Sequence, residues 1–157
     1  MNIRRAETKD IPRLHQLLDQ VLAVHNQGRP DLFKAGTRKY TDAQLEQLLA
    51  QPELRPIFVA EDEAGFVQGY AFCEHICHED SNILTPIRTL YIDDLCVDAN
   101  CRGGGVGKAL YHYVLDYARA GGYYNVTLNV WSCNTSAMTF YEKMGLKPQK
   151  VGMETIL

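Results

Sequence analysis

The sequence has few of the features that would direct it to a membrane, a nucleic acid or a secretory route. Its 157 residues contain no apolar run long enough to span a bilayer, and the first ten residues lack the apolar core of a signal peptide. Positive charge is not in excess, because 16 lysines and arginines face 19 acidic residues for a net charge of −3. Nucleic-acid binding usually requires a basic surface. We therefore expect neither nucleic acid nor membrane among its partners.

Cysteine is present but is not arranged for disulfides or for a metal. The five cysteines are an odd number, and no two are spaced as C-x-x-C. Cys73, His75 and Cys77 would share one face of a strand, but no second ligand pair completes a zinc site. We expect reduced thiols and no metal. Free thiols are typical of a reducing compartment, which predicts a cytoplasmic location.

Repeats, low-complexity tracts and linkers are also absent, and the length suits a single domain over residues 1–157. Segments of strand and helix character alternate, which predicts a mixed α/β domain in the order β-α-α-β-β-β-α-β-α-β. The predicted strands are residues 2–6, 57–61, 66–77, 89–97, 125–131 and 147–155, and the predicted helices are residues 9–24, 42–50, 106–120 and 135–144.

A long polar stretch separates the first two predicted helices. Residues 25–40 have no clear periodicity, and a capping box of Thr41 and Gln44 follows them. Long loops in compact domains are often binding loops.

The most informative segment runs from Leu95 to Lys108, where a predicted strand enters a glycine-rich turn and a helix starts from it. Glycine lets the backbone approach an anion, and a helix N-terminus offers unpaired N–H groups and a positive dipole end. Such a turn can hold a pyrophosphate, although a glycine cluster can also be only a tight connection. The P-loop pattern is absent, and a dinucleotide-binding turn would normally follow the first strand.

Two motifs in this half of the chain resemble those of the GNAT acetyltransferases. The run from Arg102 to Gly107 matches the family signature (R/Q)-x-x-G-x-(G/A), and Leu95-Cys96-Val97 resembles the strand end before it. The family pattern N-x-x-A-x-x-F-Y-x-x-x-G-F is similar to the positions Asn134, Ala137, Phe140, Tyr141, Gly145 and Leu146, with Leu for the final Phe. The resemblance covers residues 89–147.

This resemblance implies an α/β GNAT fold with a mixed, mostly antiparallel sheet of six to seven strands and about four helices. The sheet would be splayed between strands four and five. It also implies an enzyme that moves an acetyl group from acetyl-coenzyme A to a primary amine by direct attack. The implied donor-binding residues are Leu95, Val97, Arg102, Gly103, Gly104, Gly105, Val106, Gly107, Lys108, Asn134, Ala137 and Tyr141.

Within that set, the resemblance implies catalytic roles for Val97 and Tyr141. The Val97 N–H would polarise the acetyl carbonyl, and Tyr141 would act as the general acid for the coenzyme A sulfur. Each position has a plainer interpretation. Leu95 and Val97 suit core packing, Tyr141 belongs to an apolar stripe with core spacing, and Asn134 suits a helix N-cap.

An acidic pair, Asp93 and Asp94, stands directly before Leu95. Several GNAT members that acetylate small amines carry such a pair here. Strand alternation would put Asp93 on the face of Tyr91, Leu95 and Val97, where it could hold the acceptor ammonium and take its proton, directly or through water. Asp94 would point the other way, although a bulge would exchange the two roles. A solvated strand end is the alternative.

The acceptor is less well defined by the sequence. Arg29 and Phe33 in the polar loop and Glu74 on the third predicted strand are candidate acceptor-binding residues, although each could be an ordinary surface residue. Trp131 is expected to pack in the core. A small cationic amine is the favoured acceptor. A protein or peptide acceptor, a non-catalytic acyl-coenzyme A sensor and a homodimer remain open alternatives.

Overall fold

Five strands form one sheet in the computed structural model, which describes residues 1–157. The strands are Asn2–Arg5 (β1), Ile57–Glu61 (β2), Val67–Cys77 (β3), Arg88–Val97 (β4) and Asn125–Leu128 (β5). They lie in chain order, with antiparallel neighbours from β1 to β4 and a parallel pair of β4 and β5. The helices are Ile11–Gly28 (α1), Asp42–Leu49 (α2), Val106–Ala120 (α3) and Thr135–Lys143 (α4). The predicted α/β class is confirmed.

Each face of the sheet packs against helices, because the side chains of β2 and β3 alternate between two apolar clusters. On one face, α1 and α2 bury apolar side chains at helical spacing against β3. That cluster includes Leu14, Leu17, Leu18, Leu45, Tyr70 and Phe72. On the other face, α3 packs against β2, β3 and β4. That cluster includes Phe58, Ala71, Leu90, Ile92, Leu110 and Val114.

The helix boundaries follow local signals, and the largest difference from the predicted bounds is at the end of α1. The predicted capping box before α2 is confirmed. The Thr41 hydroxyl accepts from the Gln44 N–H at 3.2 Å, and the Gln44 side chain accepts from the Thr41 N–H at 2.8 Å. Helix α1 continues through the polar turn to Gly28, beyond the predicted residue 24, and ends just before Pro30, which disfavours helical backbone at Arg29. No helix combines the length and apolar character needed to cross a membrane.

The strand predicted for residues 147–155 does not form, so the sheet has five strands rather than six to seven. Residues 147–157 make no backbone hydrogen bonds, and Val151, Met153 and Ile156 are exposed. A strand is stabilised by pairing with a neighbouring edge, which local β-propensity does not supply.

Strands β4 and β5 separate partway along their length. Their pairing runs only from Thr89 opposite Asn125 to Ile92 opposite Leu128. The second half of β4 therefore has β3 on one side and no strand on the other, and β5 ends at Leu128 rather than at residue 131. This separation, which the resemblance implied, opens a gap that is called the β4–β5 gap below.

Candidate active site

Main-chain polar groups of β4 line the β4–β5 gap. The Asp98 N–H donates to the Gln68 carbonyl on β3 at 2.8 Å. Because successive residues of a strand direct their backbone groups to opposite sides, Leu95 and Val97 direct theirs away from β3 and into the gap. The Val97 carbonyl accordingly accepts from Arg102 Nε, at 3.4 Å. The side chains of Leu95 and Val97 pack against the α3 cluster, so these residues serve both the core and the gap.

The glycine-rich turn leaves the start of α3 open. Gly103 and Gly105 have φ of 84° and 81°, in the left-handed region that favours glycine. A Cβ added to either glycine would have no atom within 4 Å. Gly105 is the N-cap of α3 and has no side chain to bond the first N–H groups, and the Gly105 carbonyl accepts from Ala109 at 2.9 Å. The N–H groups of the first helical turn therefore have no partner within the helix.

The start of the turn is anchored by Arg13 of α1, which packs on the face of the sheet opposite to α3. The Asp98 carboxylate accepts from the Asn100 N–H at 2.8 Å and pairs with Arg13 of α1. The Asn100 N–H and the Arg13 guanidinium hold the pKa of Asp98 below its usual range. Arg13 Nε also donates to the Val67 carbonyl at 2.8 Å. The turn is thus anchored before its glycines, while Arg102 and Lys108 remain exposed at its surface.

Helix α4 lies against the start of α3. The Asn134 side chain accepts from the Ala137 N–H at 3.2 Å, so the N-cap interpretation of Asn134 is confirmed. A Cβ at Gly107 would lie 3.4 Å from both the Phe140 ring and a Val97 methyl group, so α3, α4 and β4 meet closely at this point.

Tyr141 follows Phe140 on α4 and is half-buried. Burial raises the pKa of Tyr141, and the nearby Asp94, Cys96 and Tyr111 raise it further. No hydrogen bond to its hydroxyl contributes to this pKa. Tyr141 therefore keeps its proton at neutral pH and lies within electrostatic reach of the second half of β4.

A β-bulge changes the expected orientation of the acidic pair. Phe72 of β3 pairs with Asp94, but Cys73 pairs with Ile92, so Asp93 is an extra residue. The prediction that Asp93 shares the face of Leu95 and Val97 is wrong, because the alternation assumed there restarts at the bulge. Asp93 and Asp94 both reach the α1 side of the sheet.

The two carboxylates converge on Lys39, from the loop between α1 and α2. Lys39 Nζ lies 3.0 Å from Asp93 Oδ2 and 3.8 Å from Asp94 Oδ2. The Tyr70 hydroxyl also donates to Asp94, at 2.9 Å. The Asp94 side chain is 11% exposed and that of Asp93 is 33% exposed. The acidic pair is therefore part of a largely buried cluster of ion pairs and hydrogen bonds, and it is not a solvated strand end.

Burial and charge act in opposite directions within this cluster. Burial raises the pKa of Asp94 to about 6, against the effects of Lys39 and the Tyr70 hydroxyl, which lower it. Burial lowers the pKa of Lys39, but Asp94 and Asp93 outweigh it, so the pKa of Lys39 is raised. At neutral pH the cluster thus holds a charged lysine between two carboxylates, one of them close to its titration point.

The three other predicted acceptor residues are occupied by contacts within the protein. Arg29 pairs with Asp31 at 2.8 Å and with Glu154, and Glu74 pairs with Arg55 at 2.8 Å.

Phe33 packs against Trp131, with ring centroids 5.2 Å apart, and against His25 at 5.0 Å. Trp131 is 43% exposed rather than in the core. Of these three candidates, only Phe33 is held by packing rather than by an ion pair.

Sequence reasoning did not identify Lys39 or Tyr70 as site residues. Tyr70 lies within an apolar strand pattern that gives no sign of its bond to Asp94. Lys39 lies in the long polar loop, which was expected to contact the acceptor. Its positive charge, opposite a predicted acidic pair, was the available signal.

A parallel pair of strands that separates beside an open, glycine-rich helix start defines this fold and site as those of an acetyltransferase. The sequence model of the Acetyltransferase (GNAT) family matches residues 20–146, so the chain belongs to that family and is an N-acetyltransferase. Members of this family generally use acetyl-coenzyme A as the acetyl donor.

Individual relatives agree with this assignment. The Bacillus subtilis protein YwnH, provisionally named a phosphinothricin acetyltransferase, is 29% identical over 147 residues, which are 92% of this chain and 83% of YwnH. Glucosamine 6-phosphate N-acetyltransferase 1 from Oryza sativa subsp. japonica is 31% identical over 111 residues, covering 71% of this chain and 64% of the rice protein. Crystal structures include a variant of the BH1408 protein from Bacillus halodurans, with a TM-score of 0.94, 29% identity and coverage of 100% of this chain and 99% of that one.

Proposed function

We propose that this chain transfers the acetyl group of acetyl-coenzyme A directly to the primary amine of a small cationic molecule. The observation that carries the proposal is the convergence of Asp93 and Asp94 on one ammonium, that of Lys39. They do so at the point where β4 leaves β5. A pair of carboxylates that holds one alkylammonium group is chemically suited to hold another.

The donor side fits coenzyme A through its backbone. The open turn at Gly103 and Gly105 and the unpaired N–H groups of α3 suit a pyrophosphate, and Arg102 and Lys108 add positive charge. We assign the pyrophosphate to Arg102, Gly103, Gly104, Gly105, Val106, Gly107 and Lys108. When bound, the coenzyme supplies an acetyl thioester.

The gap beyond the turn suits the pantetheine arm. The Leu95 main chain and the Val97 N–H face away from β3 and can pair with its amide groups, and we assign Asn134 and Ala137, at the start of α4, to the same arm. The amide nitrogen of Asn134 remains available after its oxygen caps the helix. The Val97 N–H is available to an acetyl oxygen that gains negative charge during attack.

We assign different roles on the acceptor side to the two residues of the acidic pair. An alkylammonium group titrates near ~10 and must lose one proton before its nitrogen has the lone pair that attacks. Asp93 holds the ammonium, and Asp94, with its pKa raised to about 6, takes that proton directly or through water before the carbon–nitrogen bond forms. The nitrogen loses a second proton, to solvent or to the departing thiolate, as the amide forms. A general base is most effective when its pKa lies near the working pH. This assigns the base role to Asp94 rather than to Asp93, which the strand alternation had indicated.

Tyr141 assists departure of the sulfur. Its raised pKa keeps the hydroxyl protonated at neutral pH. A thiol ordinarily titrates near ~8.5, below this tyrosine, so complete proton transfer to a thiolate is unfavourable. The Tyr141 hydroxyl therefore acts mainly by donating a hydrogen bond to the developing thiolate.

Contacts near the α1–α2 loop favour a small molecule over a peptide. Phe33 packs against Trp131, and a Cβ at Gly28 would lie 2.7 Å from Cys133 Sγ. The end of α1 and the loop after it, which also carries Lys39, therefore pack against the segment after β5, and we expect this packing to restrict access of a large acceptor. The names of both relatives compared above refer to small molecules, phosphinothricin and glucosamine 6-phosphate.

The test is release of free thiol from acetyl-coenzyme A with a panel of amines: polyamines, amino sugars, amino acids, aminoglycosides and N-terminal peptides. We expect turnover with one class of small amine. Asp94→Asn should lower kcat/KM by roughly 100-fold or more, and Asp93→Asn should mainly raise KM. Asp116→Asn, an exposed change on α3, is the matched control and should leave both constants unchanged.

The other outcomes separate the alternatives. Turnover of peptides alone would contradict the small-molecule acceptor. Tight binding of acetyl-coenzyme A by calorimetry, without turnover of any amine, would favour the sensor. Absence of binding would contradict the assignment of Arg102–Lys108 to the pyrophosphate.

A further inference from the structure

Lys39 occupies the position assigned above to the acceptor ammonium. Its Nζ is 3.0 Å from Asp93 and 3.8 Å from Asp94, and no other lysine or arginine forms an ion pair with either carboxylate. The Lys39 side chain is 37% exposed, so most of its surface is covered although it comes from a polar loop. The acidic pair thus binds an ammonium group of its own chain in the way proposed above for the ammonium of a substrate.

The fold holds Lys39 in this position through the two residues that follow it. The next residue, Tyr40, stacks on Phe72 of β3 with ring centroids 6.1 Å apart, and its ring lies 5.3 Å from Lys39 Nζ. Thr41 then caps α2. Because Tyr40 and Thr41 fix the chain directly after Lys39, the approach of its ammonium to the pair is part of the packed structure.

We propose that Lys39 is itself an acetyl acceptor, so that the enzyme acetylates Lys39 within the same chain when no substrate amine is present. This inference rests on the proposed function. Asp93 and Asp94 begin the stretch of β4 that lines the β4–β5 gap, and Leu95, whose backbone faces that gap, follows them directly. An amine held by the pair is therefore at the entrance to the site assigned to the thioester.

The reaction balances with acetyl-coenzyme A as the only co-reactant. The Lys39 ammonium loses one proton to Asp94 or to water, and its neutral nitrogen then forms a bond to the acetyl carbon. The carbon–sulfur bond breaks, the nitrogen loses a second proton to solvent, and the coenzyme A thiolate takes up one proton from solvent. The products are N-acetyl-Lys39 and free coenzyme A. Because the carboxylates favour the charged form of Lys39, we expect the reaction to be slow and to occur once per chain.

Acetylation would change what the acidic pair can bind. An acetylated lysine has no positive charge and would release Asp93 and Asp94, which could then bind an external ammonium without competition from Lys39. Lys39→Gln, which resembles the acetylated side chain, should therefore lower KM for a cationic acceptor relative to the unmodified protein.

The test is to incubate the full chain with acetyl-coenzyme A in the absence of any amine and to follow its mass. Peptide mapping should place one acetyl group on Lys39, with a rate constant that does not depend on protein concentration. Lys39→Arg, which keeps the charge, should abolish this modification. Lys34→Arg, in the same loop but without an ion pair to the acids, should retain it.

Three results would overturn the inference: an enzyme that turns over its acceptor while Lys39 stays unmodified, a rate that rises with protein concentration, or acetylation of Lys34 as fast as that of Lys39. The first result leaves the proposed function intact, so the two failures are distinguishable. If acetyl-coenzyme A does not bind by calorimetry and Lys39 stays unmodified, the proposed function and this inference both fail.

Discussion

The two ends of the β4–β5 gap are built in different ways. At the glycine-rich turn, the assigned donor site consists of backbone N–H groups exposed by Gly103 and Gly105, with exposed cations beside them. At the acidic pair, the assigned acceptor site consists of side chains from three separate segments, Asp94 from β4, Tyr70 from β3 and Lys39 from a loop. The first depends on local backbone conformation, and the second depends on charges brought together by folding.

An acceptor side held by buried charges should make the stability of the protein depend on pH. The pKa of Asp94 is raised from 3.8 to about 6 on folding, so the folded state favours its protonated form. That contribution is fully present below about pH 4 and is lost as the pH rises through about 6. Asp94→Asn stays neutral throughout and can still accept from Tyr70. We therefore expect the free energy of unfolding of Asp94→Asn, relative to that of the wild type, to increase by on the order of 3 kcal/mol between about pH 4 and pH 7.

Urea unfolding of both proteins at the two pH values measures this change in the free energy of unfolding. Asp116→Asn removes an exposed carboxylate on α3 and should show no such growth. An advantage of Asp94→Asn that is equal at both pH values would mean that Asp94 ionises in the folded protein as it does in the unfolded chain.

The same difference explains what the sequence could predict. The turn depends on residues close together in the chain, so its glycines, its strand and its helix were predicted from spacing. The acidic pair was also found, but its orientation depends on the β-bulge at Asp93, opposite the step from Phe72 to Cys73 of β3, and strand alternation alone does not predict a bulge. The Lys39 contact joins residues 54 positions apart, and periodicity gives no information about such pairs.

The unformed sixth strand and the early end of β5 have a related cause. The residues after Leu146 include the β-formers Val151 and Ile156, but also Pro148 and Gly152, which are depleted in strands. A strand also forms only where its main chain pairs with a neighbour, which is a tertiary property. Likewise, Glu74 and Arg29 were plausible acceptor ligands by type, and only the fold shows that Arg55 and Glu154 already occupy them.

Because the assigned donor site consists of backbone groups, a substitution that alters the backbone conformation should weaken binding of acetyl-coenzyme A even if it removes no charge. Gly105→Ala places a side chain at φ 81°, which costs about 1–2 kcal/mol of stability. It also adds a methyl group to the open surface of the turn. We expect the Kd for acetyl-coenzyme A, measured by calorimetry, to rise roughly tenfold.

A matched control exists at the turn between β2 and β3. Gly65 has φ 80°, and, as at Gly105, a Cβ there would have no atom within 4 Å. Gly65→Ala should cost the same stability and leave the Kd unchanged. If both variants weaken binding equally, the loss reflects general destabilisation, and the glycine turn has no special part in binding.

Tyr141 connects the donor side with the acceptor side. It lies on α4, which packs against the start of α3, and its pKa is raised by Asp94 of the acceptor side. Tyr141→Phe removes one hydroxyl and keeps the ring. If that hydroxyl donates to the developing thiolate, kcat should fall roughly tenfold, the effect of about 1.5 kcal/mol for a hydrogen bond to a charged group. The Kd for acetyl-coenzyme A should stay constant, because the thiolate exists only after bond breaking begins.

The matched control is Tyr113→Phe, which makes the same chemical change where α3 packs edge-on against Phe58. It should leave kcat unchanged. Equal kcat values for Tyr141→Phe and the wild type would assign Tyr141 to packing, and stabilisation of the thiolate would then rest with other groups of the site.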